Sequence, residues 1–261
     1  MVDAIRTLQL CDEIHRVMVQ AFRQIENAVP PPKFVQVHGE MAFRCVEKTA
    51  EQALVQKLAR VISGLGAARV LLAYGYTQEI ATLQRTLDEF IEDIIFLSLP
   101  SLGDEQTELH GRFLEAFFDE EFDQHGDPLT SRQRRDMIPR RKIRAAIARS
   151  KHAPIDPSNY AEMHRTIDKV YSGYVHGASP QILDMYGGAP PQFHIEGMLG
   201  TPRIETAAKD LWNYVHRGLN ATMLVALALR MQVLADDLMK CRQRFEEQSG
   251  WEPVTDLGRK R

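Results

Sequence analysis

The sequence lacks the features that mark secreted and membrane-spanning proteins. Its three cysteines, Cys11, Cys45 and Cys241, are isolated and form no C-x-x-C pair, which excludes a zinc knuckle and a thioredoxin-like motif. The longest uncharged apolar run, Ala221 to Leu229, is less than half of the roughly 20 residues that a membrane span needs. The N-terminus carries an acid early and has no apolar signal core. We therefore expect a soluble, cytoplasmic protein with reduced cysteines and no membrane partner.

The usual short catalytic and nucleotide-binding motifs are missing as well. The chain contains no G-x-x-x-x-G-K-[ST], H-E-x-x-H, G-x-S-x-G or G-x-G-x-x-G sequence. We accordingly expect no metal and no cofactor. Whether the protein is an enzyme stays open at this point, because the absence of a motif lowers the expectation of catalysis without excluding it.

Helical periodicity is the dominant positive signal. The chain is 44% hydrophobic and 26% charged, which is enough to bury a full core. Apolar residues recur three and four positions apart in at least six segments, and no alternating strand pattern competes with them. The sequence therefore predicts an all-α protein, a multi-helix bundle of about six to eight helices with no sheet larger than a short hairpin.

Glycine and proline set the predicted limits of these helices. The first helix is expected to stop at Pro30–Pro32 and the second at Ser63–Gly66. Residues 177–202 hold paired glycines and prolines without a helical period, so they are expected to form a long loop. This loop either covers whatever pocket the protein has or, as an ordered Ω-like loop, only shields the core helices from water. The helices are predicted at about 3–28, 40–62, 67–98, 104–124, after Pro139, at about 157–176 and, with a bend, at about 203–248.

Opposite charges are concentrated in two consecutive segments. Residues 104–127 hold nine acids and one arginine, whereas residues 130–152 hold nine bases and one acid. The two segments can neutralise each other, so we predict that they pack on or beside one another. Alternatively the basic segment binds phosphate, because each base can displace a counterion from a nucleic-acid backbone. The candidate residues for that contact are Arg140, Arg141 and Lys142.

Two helices carry polar groups that could do chemistry. Arg85 and Glu89 lie four residues apart on one helix face, so they form either a solvated ion pair or, if the helix is central, a buried obligatory pair. Ser172 and His176 share a face near the end of the 157–176 helix. A histidine at a helix C-terminus can serve as an acid or base near neutral pH, or it can simply cap the helix.

These two motifs together resemble a known pattern. Arg85-Thr-Leu-x-Glu89, followed some eighty residues later by Ser172-x-x-x-His176, resembles an uncharacterised bacterial family of all-helical proteins. That family is similar in outline to HEPN domains and to helical abortive-infection proteins. The resemblance implies that these four residues form one polar cluster and are the catalytic candidates. The HEPN nuclease signature itself is not met, because ten residues separate Arg165 from His176.

The resemblance spans roughly residues 67–235 and shapes the domain prediction. We expect one helical domain over residues 1–261, with variable N-terminal helices at about 1–63, a family-like core at about 67–248 and a flexible tail at about 249–261. The first functional expectation is a binding or regulatory module. The alternatives are a HEPN-like ribonuclease or nucleotide-binding protein in phage defence, with nucleic acid or a nucleotide as its partner, and an enzyme of unrecognised chemistry under the 177–202 loop. A homodimer is allowed by each of the three.

Overall fold

The computed structural model describes residues 2–122, 128–133, 135–152 and 157–250. It is 68% helical, which confirms the predicted all-α bundle. Within the described residues, none of the helices is both long and apolar enough to cross a membrane. The α-helices are Val2–Glu26 (α1), Ala50–Ala73 (α2), Thr77–Ser98 (α3), Glu108–Phe118 (α4), Arg140–Arg149 (α5), Pro157–Val175 (α6), Ser179–Leu183 (α7), Arg203–Ala228 (α8) and Gln232–Ser249 (α9).

Two short antiparallel hairpins accompany the helices. Lys33–Val37 (β1) pairs with Glu40–Arg44 (β2), and Tyr186–Gly187 (β3) pairs with Gln192–Phe193 (β4). Each of these sheets has two strands, as the prediction of nothing larger than a short hairpin requires. The second strand of the first hairpin, β2, occupies residues that the periodicity assigned to the start of the second helix.

The core lies where α1, α2, α3 and α8 pack together, and glycines set how closely they approach. A Cβ atom on Gly64 of α2 would lie 2.7 Å from a methyl carbon of Leu87 of α3. A Cβ atom on Gly218 of α8 would lie 2.5 Å from a methyl carbon of Leu65 of α2. Since real Cβ atoms do not come so close, both glycines serve helix packing.

The prediction that Ser63–Gly66 ends a helix begun near residue 40 is therefore wrong. The helix α2 begins after Thr49, whose side chain and that of Gln52 form a reciprocal capping box. The helix then runs through Gly64 and Gly66 to Ala73. The turn that follows α2 is at Gly75 instead, whose φ of +80° is favourable only for glycine.

The 177–202 segment contains regular secondary structure. It contains α7, β3 and β4, and it docks on the turn between α2 and α3. There the Met198 amide donates to the Gly75 carbonyl at 2.8 Å. A Cβ atom on Gly197 would lie 2.1 Å from the Tyr74 carbonyl oxygen, so the close approach requires glycine. The Met198 side chain is buried and pins the segment to the bundle.

The C-terminal helix divides into two. The helix α8 ends at Ala228 and α9 begins at Gln232, with Arg230 between them in a left-handed conformation at φ 60°. The predicted bend at about 203–248 is thus a break. Residues 251–261, which make up most of the predicted tail, lie outside the described residues.

Candidate functional site

A row of acidic side chains on α3 organises the polar interior. Asp88, Glu92 and Asp93 are each no more than 3% exposed. Ionised carboxylates are expensive to bury unless cations and hydrogen bonds replace their water. The structure supplies these partners from three surrounding helices, α2, α5 and α8.

The helix α5 supplies two arginines. Arg140 Nη2 donates to Glu92 Oε2 at 2.5 Å and to the Glu89 carbonyl at 2.9 Å. Arg140 also pairs with Asp93. Arg144 Nε donates to the second Glu92 oxygen, Oε1, at 2.9 Å. Both oxygens of the buried Glu92 are thereby bonded to guanidinium groups.

The helix α2 supplies a lysine at the other end of the row. Lys57 Nζ lies 2.7 Å from Asp93 Oδ2. The same ammonium lies 5.0 Å from the ring centroid of Phe90 and 4.9 Å from that of Phe117, within cation–π range. Lys57 is therefore neutralised by a carboxylate and shielded by aromatic rings.

The helix α6 supplies a further carboxylate, Asp168, which contacts two arginines. Arg144 Nη2 donates to Asp168 Oδ1 at 3.0 Å, and Arg85 Nη2 lies 3.5 Å from the same oxygen. Arg85 in turn pairs with Glu89 at 2.8 Å. A continuous ion chain of alternating sign results, with four cations and four carboxylates. We call these residues the ion chain: Lys57, Asp93, Arg140, Glu92, Arg144, Asp168, Arg85 and Glu89.

A second buried pair links α3 to α8. Arg217 Nη1 lies 2.5 Å from Asp88 Oδ1, and the Tyr214 hydroxyl donates to Asp88 Oδ2 at 2.9 Å. Burial and the neighbouring carboxylate raise the pKa of Tyr214. The hydroxyl therefore stays protonated as a donor, and Asp88 has its own partners outside the ion chain.

The predicted pair of Arg85 and Glu89 is present, and its surroundings fall between the two interpretations. The two side chains are 22% and 38% exposed, so the pair is neither sealed nor fully solvated. Among the described residues, the α6 partner of Arg85 is Asp168. Ser172 is half-buried and His176 is exposed, and the ion pairs of Arg85 include neither. The structure thus joins two of the four candidate residues.

Among the described residues, the basic and acidic segments meet at several points, including an ion pair between Arg112 and Asp136 at 2.6 Å. Arg135 Nη1 lies 3.0 Å from Glu121 Oε2, and Ser150 Oγ donates to Asp104 Oδ2 at 2.5 Å. The centre of the basic segment packs on α3 instead, through Arg140 and Arg144. Arg134 and residues 123–127 lie outside the described residues. The two segments therefore contact each other as predicted, but the prediction did not include the pairing of Arg140 and Arg144 with the α3 carboxylates.

A cleft of about 420 Å³ opens between α5 and α6. Arg144 and Asp168 belong both to this cleft and to the ion chain. The other three arginines on its walls, Arg141, Arg149 and Arg165, are exposed, and no ion pair involves them among the described residues. Four guanidinium groups thus face one carboxylate. We call this the arginine cleft, lined by Arg141, Arg144, Ala145, Ala148, Arg149, Arg165 and Asp168.

The three predicted phosphate-contact residues take different positions around this cleft. Arg141 lines it, whereas Arg140 lies in the ion chain with both Glu92 and Asp93 as partners. Lys142 is exposed on α5 but does not line the cleft. Sequence reasoning missed Arg149 and Arg165 as partners of Arg141. The spacing of these arginines along α5 and along α6 could be read from the sequence. The packing of α5 against α6, which brings the arginines together, could not.

The cleft and four further cavities in the described part of the chain have volumes of about 290–510 Å³. None of these five is lined by a residue of 177–202, by Ser172 or by His176. A cavity of about 290 Å³ between α1, α2 and α8 contains Cys11. Burial raises the pKa of that thiol to about 12, so it stays protonated and unreactive at neutral pH.

Comparisons of the chain with protein-family models, with curated proteins and with solved structures find no match. The chemistry of the site rests on the residues themselves.

Proposed function

We propose that this protein is a binding module for phosphate-bearing ligands, which it takes up in the arginine cleft. The observation that carries the proposal is the unequal pairing of the arginines at α5 and α6. Arg140 and Arg144 are neutralised by the ion chain, whereas Arg141, Arg149 and Arg165 have no carboxylate partner among the described residues. A cluster of unpaired guanidinium groups favours an anionic ligand.

Guanidinium chemistry supports phosphate as the anion. Each arginine presents planar, permanently charged donors that match two phosphate oxygens at once. Arg144 is held by Glu92 and Asp168, so one guanidinium group of the cleft is fixed before a ligand arrives. Preorganisation of this kind lowers the entropic cost of binding.

The geometry supports binding more than cleavage. A ribonuclease of the kind that the sequence resemblance suggests needs His176 close to the bound phosphate. His176 lies eleven residues beyond Arg165 on the same helix axis, a separation of about 16 Å at roughly 1.5 Å per residue. It lines none of the five cavities. The structure therefore favours the binding module over the two enzymatic alternatives.

Isothermal titration calorimetry with inorganic tripolyphosphate tests the proposal. Replacing Arg141, Arg149 and Arg165 together by glutamine should weaken binding by more than about tenfold, because several charge-assisted hydrogen bonds are lost. A matched control replaces three exposed cations outside the cleft, Arg6, Lys209 and Arg244, by glutamine and so changes the net charge equally. Equal losses in the two variants, or no binding by the wild type, would contradict the proposal.

A further inference from the structure

The arginine cleft contains a carboxylate, and a site for bare anions would not need one. Asp168 lines the cleft beside four arginines, and its side chain is 32% exposed. A phosphate oxygen gains nothing from approaching a carboxylate, because neither group carries a proton to share. Asp168 already serves the ion chain by pairing with Arg144 and Arg85, and its exposed part also offers an acceptor to a ligand that brings a hydrogen-bond donor.

The hydrogen bonds of Asp168 leave room for such a donor. A carboxylate offers about four lone-pair sites on its two oxygens. Among the described residues, Arg144 occupies one site on each oxygen, and Arg85 lies 3.5 Å from Oδ1. At least one acceptor site therefore stays available on this partly exposed carboxylate. Arg144 and Arg85 also hold the Asp168 side chain in place.

The rest of the cleft is larger and less polar than a phosphate requires. Ala145 and Ala148 provide short apolar side chains between the arginines of α5. The volume of about 420 Å³ lies in the range of about 300–1,000 Å³ that is typical of small-molecule sites. A carbon framework can therefore lie against the alanines while charged groups reach the arginines.

We propose that the arginine cleft binds a sugar phosphate, with the phosphate on the exposed arginines and a sugar hydroxyl donating to Asp168. This inference rests on the proposed function and specifies its ligand. Two sources share the chemistry, a free sugar phosphate and a ribonucleotide. The second would add a base, which can stack on a guanidinium plane.

Calorimetry with ligands of equal charge isolates the contribution of the hydroxyl groups. Methyl phosphate and ribose 5-phosphate are both phosphate monoesters, and only the second carries hydroxyls. The wild type should bind ribose 5-phosphate at least about tenfold more tightly, because it gains a hydrogen bond to a charged acceptor. Adenosine 5′-monophosphate distinguishes the two sources: further tightening indicates a nucleotide, and equal affinity indicates the sugar phosphate alone.

The variant Asp168→Asn should remove this preference. Its amide oxygen is drawn to Arg144 and Arg85, so the amide N–H₂ faces the cleft and favours phosphate over hydroxyl. The matched control is Asp184→Asn, since Asp184 also pairs with an arginine, Arg203, but lies outside the cleft. The control should keep the wild-type preference.

A second variant covers the case in which Asp168→Asn does not fold. Ala145→Leu narrows the cleft and leaves the Arg144–Asp168 pair intact, so it should weaken ribose 5-phosphate binding more than methyl phosphate binding. Binding of methyl phosphate and ribose 5-phosphate with equal affinity in the wild type would overturn the sugar-phosphate inference and leave the proposed function standing. Failure of every phosphate ligand to bind would overturn both.

Discussion

Glu92 Oε1 accepts a hydrogen bond from Arg144 Nε at 2.9 Å, and this contact joins the central helix α3 to α5 beneath the arginine cleft. Glu92 is 1% exposed and bonds Arg140 as well. One buried carboxylate therefore positions two guanidinium groups. The ion chain that it belongs to neutralises the inner arginines of α5 and leaves the outer ones for a ligand.

Removing Glu92 should destabilise the protein strongly. Glu92→Ala leaves Arg140 and Arg144 without a shared partner in a poorly hydrated site, which should cost about 3–5 kcal/mol of unfolding free energy. Glu89→Ala is the matched control on the same helix. Its pair with Arg85 is partly exposed, so the loss should be no more than about 1 kcal/mol. Urea unfolding measures both, and similar losses for the two variants would refute the central role of Glu92.

Acid pH should destabilise the fold through His110. This ring is 4% exposed and stacks on Phe96, and burial lowers its pKa below the ordinary value. The unfolded chain binds a proton near pH 6.5 and the folded state does not, so stability falls as the pH drops through about 6.5 and is unaffected above it. At pH 5.5 this histidine accounts for at most about 1.4 kcal/mol.

His110→Gln provides the comparison for that pH effect. Glutamine is a capping-box residue and can still accept the Thr107 amide that His110 Nδ1 accepts at 3.1 Å. Between pH 7.5 and 5.5 the variant should lose less stability than the wild type in urea unfolding. Some loss should remain, because burial also lowers the pKa of His216. Identical pH dependence in the two proteins would exclude His110 as a contributor.

The docking of the 177–202 segment should depend on Gly197. Its φ of +105° and its contact with Tyr74 leave no room for a Cβ atom, so Gly197→Ala should cost more than about 1 kcal/mol. Hydrogen exchange of the Met198 amide, which bonds the Gly75 carbonyl, reports the docking directly. The matched control is Gly187→Ala in the same segment, where a Cβ atom would meet nothing within 4 Å. Unchanged protection of Met198 in Gly197→Ala would show that the contact is dispensable.

Much of the helical architecture could be predicted, because periodicity records which face of a helix is buried. The same signal failed at Gly64 and Gly66, where glycine serves close helix packing rather than termination. It also failed at the β1–β2 hairpin, where Phe34 and Phe43 face each other across the strands and stay exposed. A short solvent-exposed hairpin has no buried face, so its sequence does not show the alternation of apolar and polar residues that predicts a strand.

The candidate site was predictable only within single helices. The pairing of Arg85 with Glu89 follows from their spacing of four. The ion chain does not follow, since Glu92 and Arg144 are 52 residues apart and only tertiary packing brings them together. The adjacent acidic segment seemed the natural partner of Arg140, but the buried carboxylates of α3 need compensation more than exposed ones do.

Nuclear magnetic resonance of the arginine side chains tests the central claim most directly. On titration with tripolyphosphate, the Nε–Hε signals of Arg141, Arg149 and Arg165 should shift in a saturable manner, because these groups line the cleft without ion-pair partners among the described residues. The signals of the exposed Arg6 and Arg244 should not move. The absence of shifts at the three cleft arginines, or equal shifts at all five, would contradict the assignment of the arginine cleft as the phosphate-binding site.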